Sequence, residues 1–200
     1  MGRHAAAYLG MGGMLPACGV VLWTIWSFTV VGDPRPLRYI TFLNPLELFG
    51  LVGIATLVRW RIYCQNKEYT IKYLPQKQAL WGLGLLFFCW MNSVVARSVH
   101  FYVGIPYYPA ALYSSAVFQA ALAALWGFGA LALTVWAARK GSRTLWGVGA
   151  ILLAMVVVKL FLVDLSGTGT IARIVSFLVV GVLMLIIGYF SPLPPKTREK

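Results

Sequence analysis

Long apolar runs separated by short polar segments dominate the pattern of this chain. Most of the runs approach the roughly 20 residues that a helix needs to cross the hydrocarbon core of a bilayer. They lack the alternation of a barrel strand, and a helix satisfies its backbone polar groups within one segment. We therefore predict an all-α polytopic transmembrane helical bundle that forms a single domain over residues 1–200. Its six predicted spans are at about residues 15–31, 46–58, 79–96, 116–137, 145–163 and 171–190.

Composition strengthens the membrane prediction. Of the 200 residues, 60% are hydrophobic and 11% are charged, and the mean hydropathy is +0.78. A soluble domain has about a quarter of its residues charged, so this chain is expected to present much of its surface to lipid. The expected partners are membrane lipids and further transmembrane helices or other membrane proteins.

The net charge of +12 is weaker evidence for a nucleic-acid partner here than it would be in a soluble protein. There it would suggest nucleic acid. Here the charges lie in short clusters between apolar runs, which is typical of topology signals and of contact with anionic lipid. We therefore expect no nucleic-acid partner.

The distribution of Lys and Arg between the loops predicts the orientation of the chain, because cytoplasmic loops carry the excess of positive charge. With six spans, twelve of these residues fall on one side: Arg3, Arg59, Arg61, Lys67, Lys72, Lys77, Arg139, Lys140, Arg143, Lys196, Arg198 and Lys200. Four fall on the other side: Arg35, Arg38, Arg97 and Arg173. We therefore predict a multi-pass protein of the bacterial inner membrane with both termini in the cytoplasm and with loops 32–45, 97–115 and 164–170 outside.

Cysteine and histidine usage predicts neither a metal site nor a cofactor. The three cysteines (Cys18, Cys64 and Cys89) are widely spaced, and the histidines are His4 and His100. No pair has metal-ligand spacing, and the odd cysteine count does not imply a disulfide framework. Nucleophile elbows, metalloprotease helices and dinucleotide fingerprints are absent from the sequence, which disfavours common hydrolases and oxidoreductases but leaves enzymatic activity open.

Several charged residues lie near the predicted outer face. Because charge at membrane depth is costly, each is expected to have a structural partner or a function. The candidate binding residues for an anionic ligand are Arg97, His100, Lys159 and Arg173. Structural alternatives exist. Arg97 and His100 share a helix face and suit the negative end of the helix dipole. Lys159 can extend its amine toward the interface or pair within the bundle.

Arg173 is the cation with the strongest need for a partner. It lies near the predicted start of the last helix, where the positive end of the dipole disfavours a cation. Asp164, nine residues earlier across a Gly/Thr loop, is the expected member of a structural charge pair. A lipid phosphate or an external anion is the alternative partner.

Two local patterns predict packing. The segment Asn44-Pro45-Leu46-Glu47 has the arrangement of a capping box, with Asn44 as the N-cap and Glu47 as the third helical residue. Small residues recur every four positions at Ala116, Ala120 and Ala124. This spacing predicts a smooth face that lets another helix approach closely in lipid.

The stretch Lys159-Leu160-Phe161-Leu162-Val163-Asp164-Leu165-Ser166, continued by Arg173-Ile174-Val175-Ser176-Phe177, resembles the closing hairpin of a family of bacterial membrane proteins, domain of unknown function 2339. Residues 44–48 and 96–100 also resemble segments of that family. Typical members are longer, and this chain resembles their C-terminal part, either as a short relative or as a fragment. The resemblance implies a membrane location and topology, and it carries no activity.

Two functional hypotheses follow. The chain is a structural or accessory component of a larger inner-membrane assembly, with its charges holding the helix bundle together. Alternatively, it is a binder, transporter or transferase for an anionic lipid-linked or sugar substrate at the outer leaflet. Convergence of the candidate cations on one open cleft would favour the second hypothesis, and pairing of each within the bundle would favour the first.

Overall fold

The computed structural model describes residues 2–66 and 76–160, together with 178, 181, 182, 184–186, 188 and 189. These residues form helices joined by turns and loops, with no strand among them, and the predicted all-α class is confirmed. The chain divides into two compact units, unit one (Met1–Tyr108) and unit two (Pro109–Lys200).

The helices of unit one are α1 (Gly2–Ser27), α2 (Pro45–Asn66) and α3 (Gln76–Val103). In the described part of unit two they are α4 (Pro109–Ser114), α5 (Ala116–Lys140) and α6 (Arg143–Lys159). The short helix α4 was not predicted. Helices α2 and α3 extend beyond their predicted spans 46–58 and 79–96 at both ends, whereas α1 begins before its predicted span 15–31 and ends within it, at Ser27.

Two of the described helical segments, Gln78–Val103 and Ala116–Lys140, are long and apolar enough to cross a bilayer. A shorter apolar helix covers Met14–Ser27. Most of the predicted last span, 171–190, lies outside the described residues. The chain therefore has helices capable of spanning a membrane, and the count of six spans stays a prediction.

The core of unit one lies where α2 and α3 meet, and α1 packs against it. Its buried members are Ile54, Leu57, Leu86, Trp90 and Val94. Glycines on α2 bring its neighbours close: a Cβ added at Gly53 would lie 3.0 Å from Val20 Cγ1, and one added at Gly50 would lie 2.7 Å from the Trp90 indole nitrogen. The Trp90 indole therefore lies directly over the α2 backbone at Gly50.

In unit two, α5 and α6 form an antiparallel hairpin through a Schellman turn. Gly141 adopts a left-handed conformation (φ 66°) that residues with a Cβ rarely take. Its N–H donates to Ala138 O at 3.2 Å, and the Ser142 N–H donates to Ala137 O at 3.0 Å. The Ser142 hydroxyl then caps α6 by accepting from the Leu145 N–H.

The contact between α5 and α6 uses small residues, although not the predicted alanine stripe. Ala130, Thr134 and Ala137 of α5 are fully buried, and Gly149 of α6 lies against Thr134. Ala116, Ala120 and Ala124 are exposed, so the expectation that they form the packing face is wrong for this hairpin. The position of Gly149 on the partner helix selects which face of α5 is buried, and the α5 sequence alone does not contain that information.

Substitution of Gly149 by alanine is expected to destabilise unit two by about 1–3 kcal/mol, the usual cost of overpacking. The added Cβ would lie 2.5 Å from Thr134 Cγ2, 3.1 Å from Thr134 N and 3.2 Å from Ala130 O. Two of these atoms belong to the backbone and cannot rotate away. The measurement is the free energy of unfolding of the protein in lipid nanodiscs.

Gly147→Ala is the matched control, since it lies on the same helix and its added Cβ would meet nothing within 4 Å. Alanine should there stabilise the helix by about 0.5–1 kcal/mol through its higher helix propensity. Equal effects of the two substitutions would contradict close packing at Gly149.

Candidate functional site

Arg97 is a buried cation on α3, with 1% of its surface exposed. Its guanidinium reaches the end of α1. Nε donates to Val30 O at 3.2 Å, and Nη2 donates to Ser27 O, the last residue of that helix. The final carbonyls of a helix lack partners within the helix and carry partial negative charge. Arg97 therefore caps the C-terminal end of α1 and ties α3 to it.

The start of α2 depends on Asn44, which is 3% exposed. Asn44 Oδ1 accepts the Leu46 N–H at 2.9 Å, and Nδ2 donates to Gly32 O at 2.8 Å. One amide group thus occupies the predicted N-cap position and also holds the preceding loop. The left-handed conformation of Gly32 (φ 71°) turns that loop toward Asn44.

Glu47 differs from the predicted capping box. Its side chain does not return to the Asn44 N–H. Oε2 accepts the Phe42 N–H at 2.6 Å, and Oε1 accepts the Tyr39 hydroxyl at 2.6 Å. Glu47 thus binds the loop before the helix, because that loop folds back over the first turn of α2. Its side chain is 0% exposed, and among the residues that the structure describes no cation lies within ion-pairing distance of it.

Phe42 is held in a left-handed conformation (φ 70°) that is rare for a bulky residue. Such a conformation costs roughly 1–3 kcal/mol and persists only where its surroundings fix it. The hydrogen bond to Glu47 provides one constraint, and the Phe42 ring lies 6.1 Å from the Trp90 ring. The carboxylate therefore determines the shape of the loop as well as the start of α2.

A chain of hydroxyl groups leads away from the Glu47 carboxylate. The Tyr39 hydroxyl lies 3.3 Å from Ser98 Oγ, which lies 3.1 Å from Thr41 Oγ1. Tyr39 is 9% exposed, whereas Thr41 and Ser98 are half-buried. We call Glu47, Tyr39, Ser98 and Thr41 the Glu47 network.

Aromatic contacts fix Tyr39 within this network. Its ring stacks on Phe101 with centroids 4.4 Å apart, and the Tyr102 hydroxyl donates to its main-chain oxygen at 3.3 Å. Burial raises the pKa of the Tyr39 phenol above its usual range, and the hydrogen bond to Glu47 adds to the rise. The phenol is therefore neutral at physiological pH, and its hydroxyl donates a hydrogen bond to Glu47 Oε1.

Of the remaining candidate cations, His100 and Lys159 each contact a backbone oxygen of their own unit. In unit one, His100 Nδ1 is 2.7 Å from Ile105 O, just beyond the end of α3. In unit two, Lys159 Nζ donates to Gln119 O at 3.0 Å. Arg173 and Asp164, the predicted charge pair, lie outside the described residues.

Sequence reasoning identified Asn44, Glu47 and Arg97 as important polar residues but missed Tyr39, Thr41 and Ser98. Hydroxyl residues in loops and at helix ends are common, and their spacing along the chain has no period that would bring them together. Adjacency of Ser98 to Arg97 was the only available signal. Within residues 2–66 and 76–160, no three His, Cys, Asp or Glu side chains are grouped as a metal site would require.

Comparison with known proteins gives a match at the level of a family. The model of a family described as predicted membrane proteins, DUF2339, matches residues 1–194. No curated protein and no solved structure matches the chain. The family match covers both units and the whole Glu47 network.

Proposed function

Because the chain belongs to the DUF2339 family of predicted membrane proteins, we propose that it is a structural or accessory component of a larger bacterial inner-membrane assembly. The observation that carries this proposal is the burial of Arg97 against the end of α1. A cation whose N–H groups donate to the main-chain carbonyls at the end of another helix holds the two helices together.

Lys159 supports the same interpretation. Its amine donates to the main-chain oxygen of Gln119, which joins α6 to α5. Of the four cations predicted for an anionic ligand, Arg97 and Lys159 thus donate to backbone oxygens within their own units. A ligand would have to displace these bonds, and unpaired buried carbonyls are costly.

The proposed partners are lipids and other membrane proteins. Large apolar side chains are exposed along the helices, including Leu15, Leu85 and Phe128. An open cavity of about 450 Å³ lies near the end of α2, lined among the described residues by Thr56, Arg59, Trp60, Ile62 and Tyr63. Arginine beside aromatic rings suits the interface of a membrane with anionic headgroups.

The proposed topology has six spans and cytoplasmic termini, and it predicts which loops an impermeant thiol reagent can reach. In a variant lacking Cys18, Cys64 and Cys89, cysteine at Arg38 should be labelled from outside intact cells. Cysteine at Lys67 or Arg143 should be labelled only after the membrane is opened. Labelling of Arg143→Cys in intact cells would contradict the orientation.

The assembly itself can be tested by extracting the tagged chain from its host membrane in polymer discs that retain native lipid. Native mass spectrometry should find the chain with another integral membrane protein in constant stoichiometry. Arg97→Gln should reduce the amount of folded chain and of assembly together, whereas Arg38→Gln, at an exposed position, should leave both unchanged. Recovery of the chain with only bulk lipid, or with one lipid-linked phosphate or sugar, would overturn the proposal.

A further inference from the structure

The Glu47 network joins a fully buried carboxyl group to two half-buried hydroxyl groups. One belongs to Ser98 in the last part of α3, and the other belongs to Thr41 in the loop before α2. The Tyr39 hydroxyl lies 2.6 Å from Glu47 Oε1 and 3.3 Å from Ser98 Oγ. Ser98 Oγ in turn lies 3.1 Å from Thr41 Oγ1. Among the described residues no cation lies within ion-pairing distance of Glu47. A buried carboxyl group without such a partner is costly to keep charged, so ionisable residues at membrane depth are candidates for function.

We propose that Glu47 is a proton-binding site that exchanges its proton with water through the hydroxyl groups of Tyr39, Ser98 and Thr41. The ligand is a proton, and the site consists of one carboxyl group and three hydroxyl groups. This function is additional to the structural role of Arg97.

Hydroxyl groups suit this task because each is both a donor and an acceptor. In the Tyr39–Ser98 and Ser98–Thr41 contacts, either oxygen can be the donor. The Ser98 hydroxyl donates to Val94 O at 2.8 Å in the structure, so it rotates toward Tyr39 before it passes its proton on. Uptake begins when a hydronium ion gives its proton to Thr41 Oγ1. Thr41 passes its own proton to Ser98, Ser98 passes its proton to Tyr39, and Tyr39 passes its proton to Glu47 Oε1. One proton has then moved, water is released, and each hydroxyl again holds one proton.

The network has a second arrangement after uptake. With Glu47 ionised, the Tyr39 hydroxyl donates to Oε1. With Glu47 protonated, the carboxyl hydroxyl donates to Tyr39, which then donates to Ser98. The Phe42 N–H keeps its bond to Oε2 in both arrangements. The loop is therefore held while the proton moves, and rotation of a few O–H bonds resets the chain.

Other titratable groups lie on the elements around Glu47. The loop carries Asp33 and Arg35, an exposed ion pair, and the exposed Arg38. On α3, Arg97 is committed to α1, and His100 contacts Ile105 O. Tyr102, also on α3, accepts the Thr41 N–H at 3.4 Å. Tyr39 alone among these groups bonds to the carboxyl group, so it connects Glu47 to the rest of the network.

Infrared spectroscopy can observe Glu47 directly, because the chain has only five acidic residues. Glu68→Gln combined with Glu199→Gln leaves Glu47 as the sole glutamate. Cell-free synthesis with ¹³C-labelled glutamate then gives one labelled carboxyl side chain, with Glu47 itself unchanged. In nanodiscs, this band should convert between carboxylate and carboxylic acid across the pH range in which circular dichroism shows folded protein.

The route is tested by the rate at which the protonated carboxyl group exchanges with D₂O. Losing a positioned proton-transfer group costs about 10²–10⁴-fold in rate, so Tyr39→Phe should slow exchange by about 10²-fold, and Ser98→Ala should also slow it. Thr29→Val is the matched control: it removes an exposed hydroxyl that bonds only to its own turn, and it should leave the rate unchanged.

Two outcomes would overturn the proposal. A labelled band that stays entirely in one protonation state throughout the folded pH range would show that Glu47 does not exchange a proton. Exchange in folded Tyr39→Phe at the rate of the Thr29→Val control would show that the hydroxyl chain is not the route.

Discussion

Arg97→Met is expected to lower the free energy of unfolding by about 3 kcal/mol, since hydrogen bonds to charged groups contribute about 1.5–3 kcal/mol each. Methionine fills a similar volume but donates no hydrogen bond, so Ser27 O and Val30 O lose the guanidinium. These carbonyls lie at the negative end of α1, where the lost cation also interacted with the helix dipole. The measurement is steric-trap unfolding in nanodiscs.

Arg38→Met is the control, because it removes one arginine from an exposed position of the same unit. Surface substitutions of this kind usually change stability by less than about 0.5 kcal/mol. Arg97→Lys should retain the charge but lose the two-point contact, so its stability should lie between those of wild type and Arg97→Met. Equal unfolding free energies for Arg97→Met and Arg38→Met would contradict the capping role.

Glu47→Leu is expected to cost about 3 kcal/mol, because buried donors left without an acceptor cost about 1–3 kcal/mol each. The substitution removes the acceptor of the Phe42 N–H and of the Tyr39 hydroxyl. Tyr39 can turn to Ser98, whereas the Phe42 N–H is held by the strained backbone. Glu47→Gln keeps one oxygen as an acceptor, so it should cost less than Glu47→Leu.

Asp33→Leu is the control for Glu47, since it removes a carboxylate whose ion pair with Arg35 is exposed. Exposed pairs of this kind contribute little to stability, because solvent screens the two charges. Unfolding free energies are compared in nanodiscs, together with the accessibility of a cysteine placed at Leu43 to report loop opening. A loss for Glu47→Leu no larger than that for Asp33→Leu would show that the carboxylate does not hold the loop.

The sequence predicts the fold best where one local feature suffices. Apolar runs identified α3 and α5, and Asn44 beside Pro45 marked the start of α2 within one residue. The short helix α4 was not predicted, because six residues show too little periodicity to distinguish a helix from a turn.

The candidate site was harder to predict because its contacts are long-range. Arg97 was recognised as a cation at the end of its own helix, yet it caps a different helix 67–70 residues earlier. Glu47 was assigned to a local capping box, but the loop before α2 supplies its donors. In both cases the residue type was informative, whereas the identity of the partner depends on how the helices pack.

The distance along the chain between α1 and Arg97 has a consequence for biosynthesis. The carbonyls at the end of α1 emerge from the ribosome about 70 residues before the guanidinium that binds them. At about 5–20 residues per second, translation of that interval takes roughly 4–14 s. During this time water or lipid headgroups must satisfy these oxygens. Helices α1 and α2 are therefore synthesised before the end of α1 can be capped, and the arrival of α3 completes the unit, so a nascent chain arrested before Arg97 would leave the end of α1 open to protease.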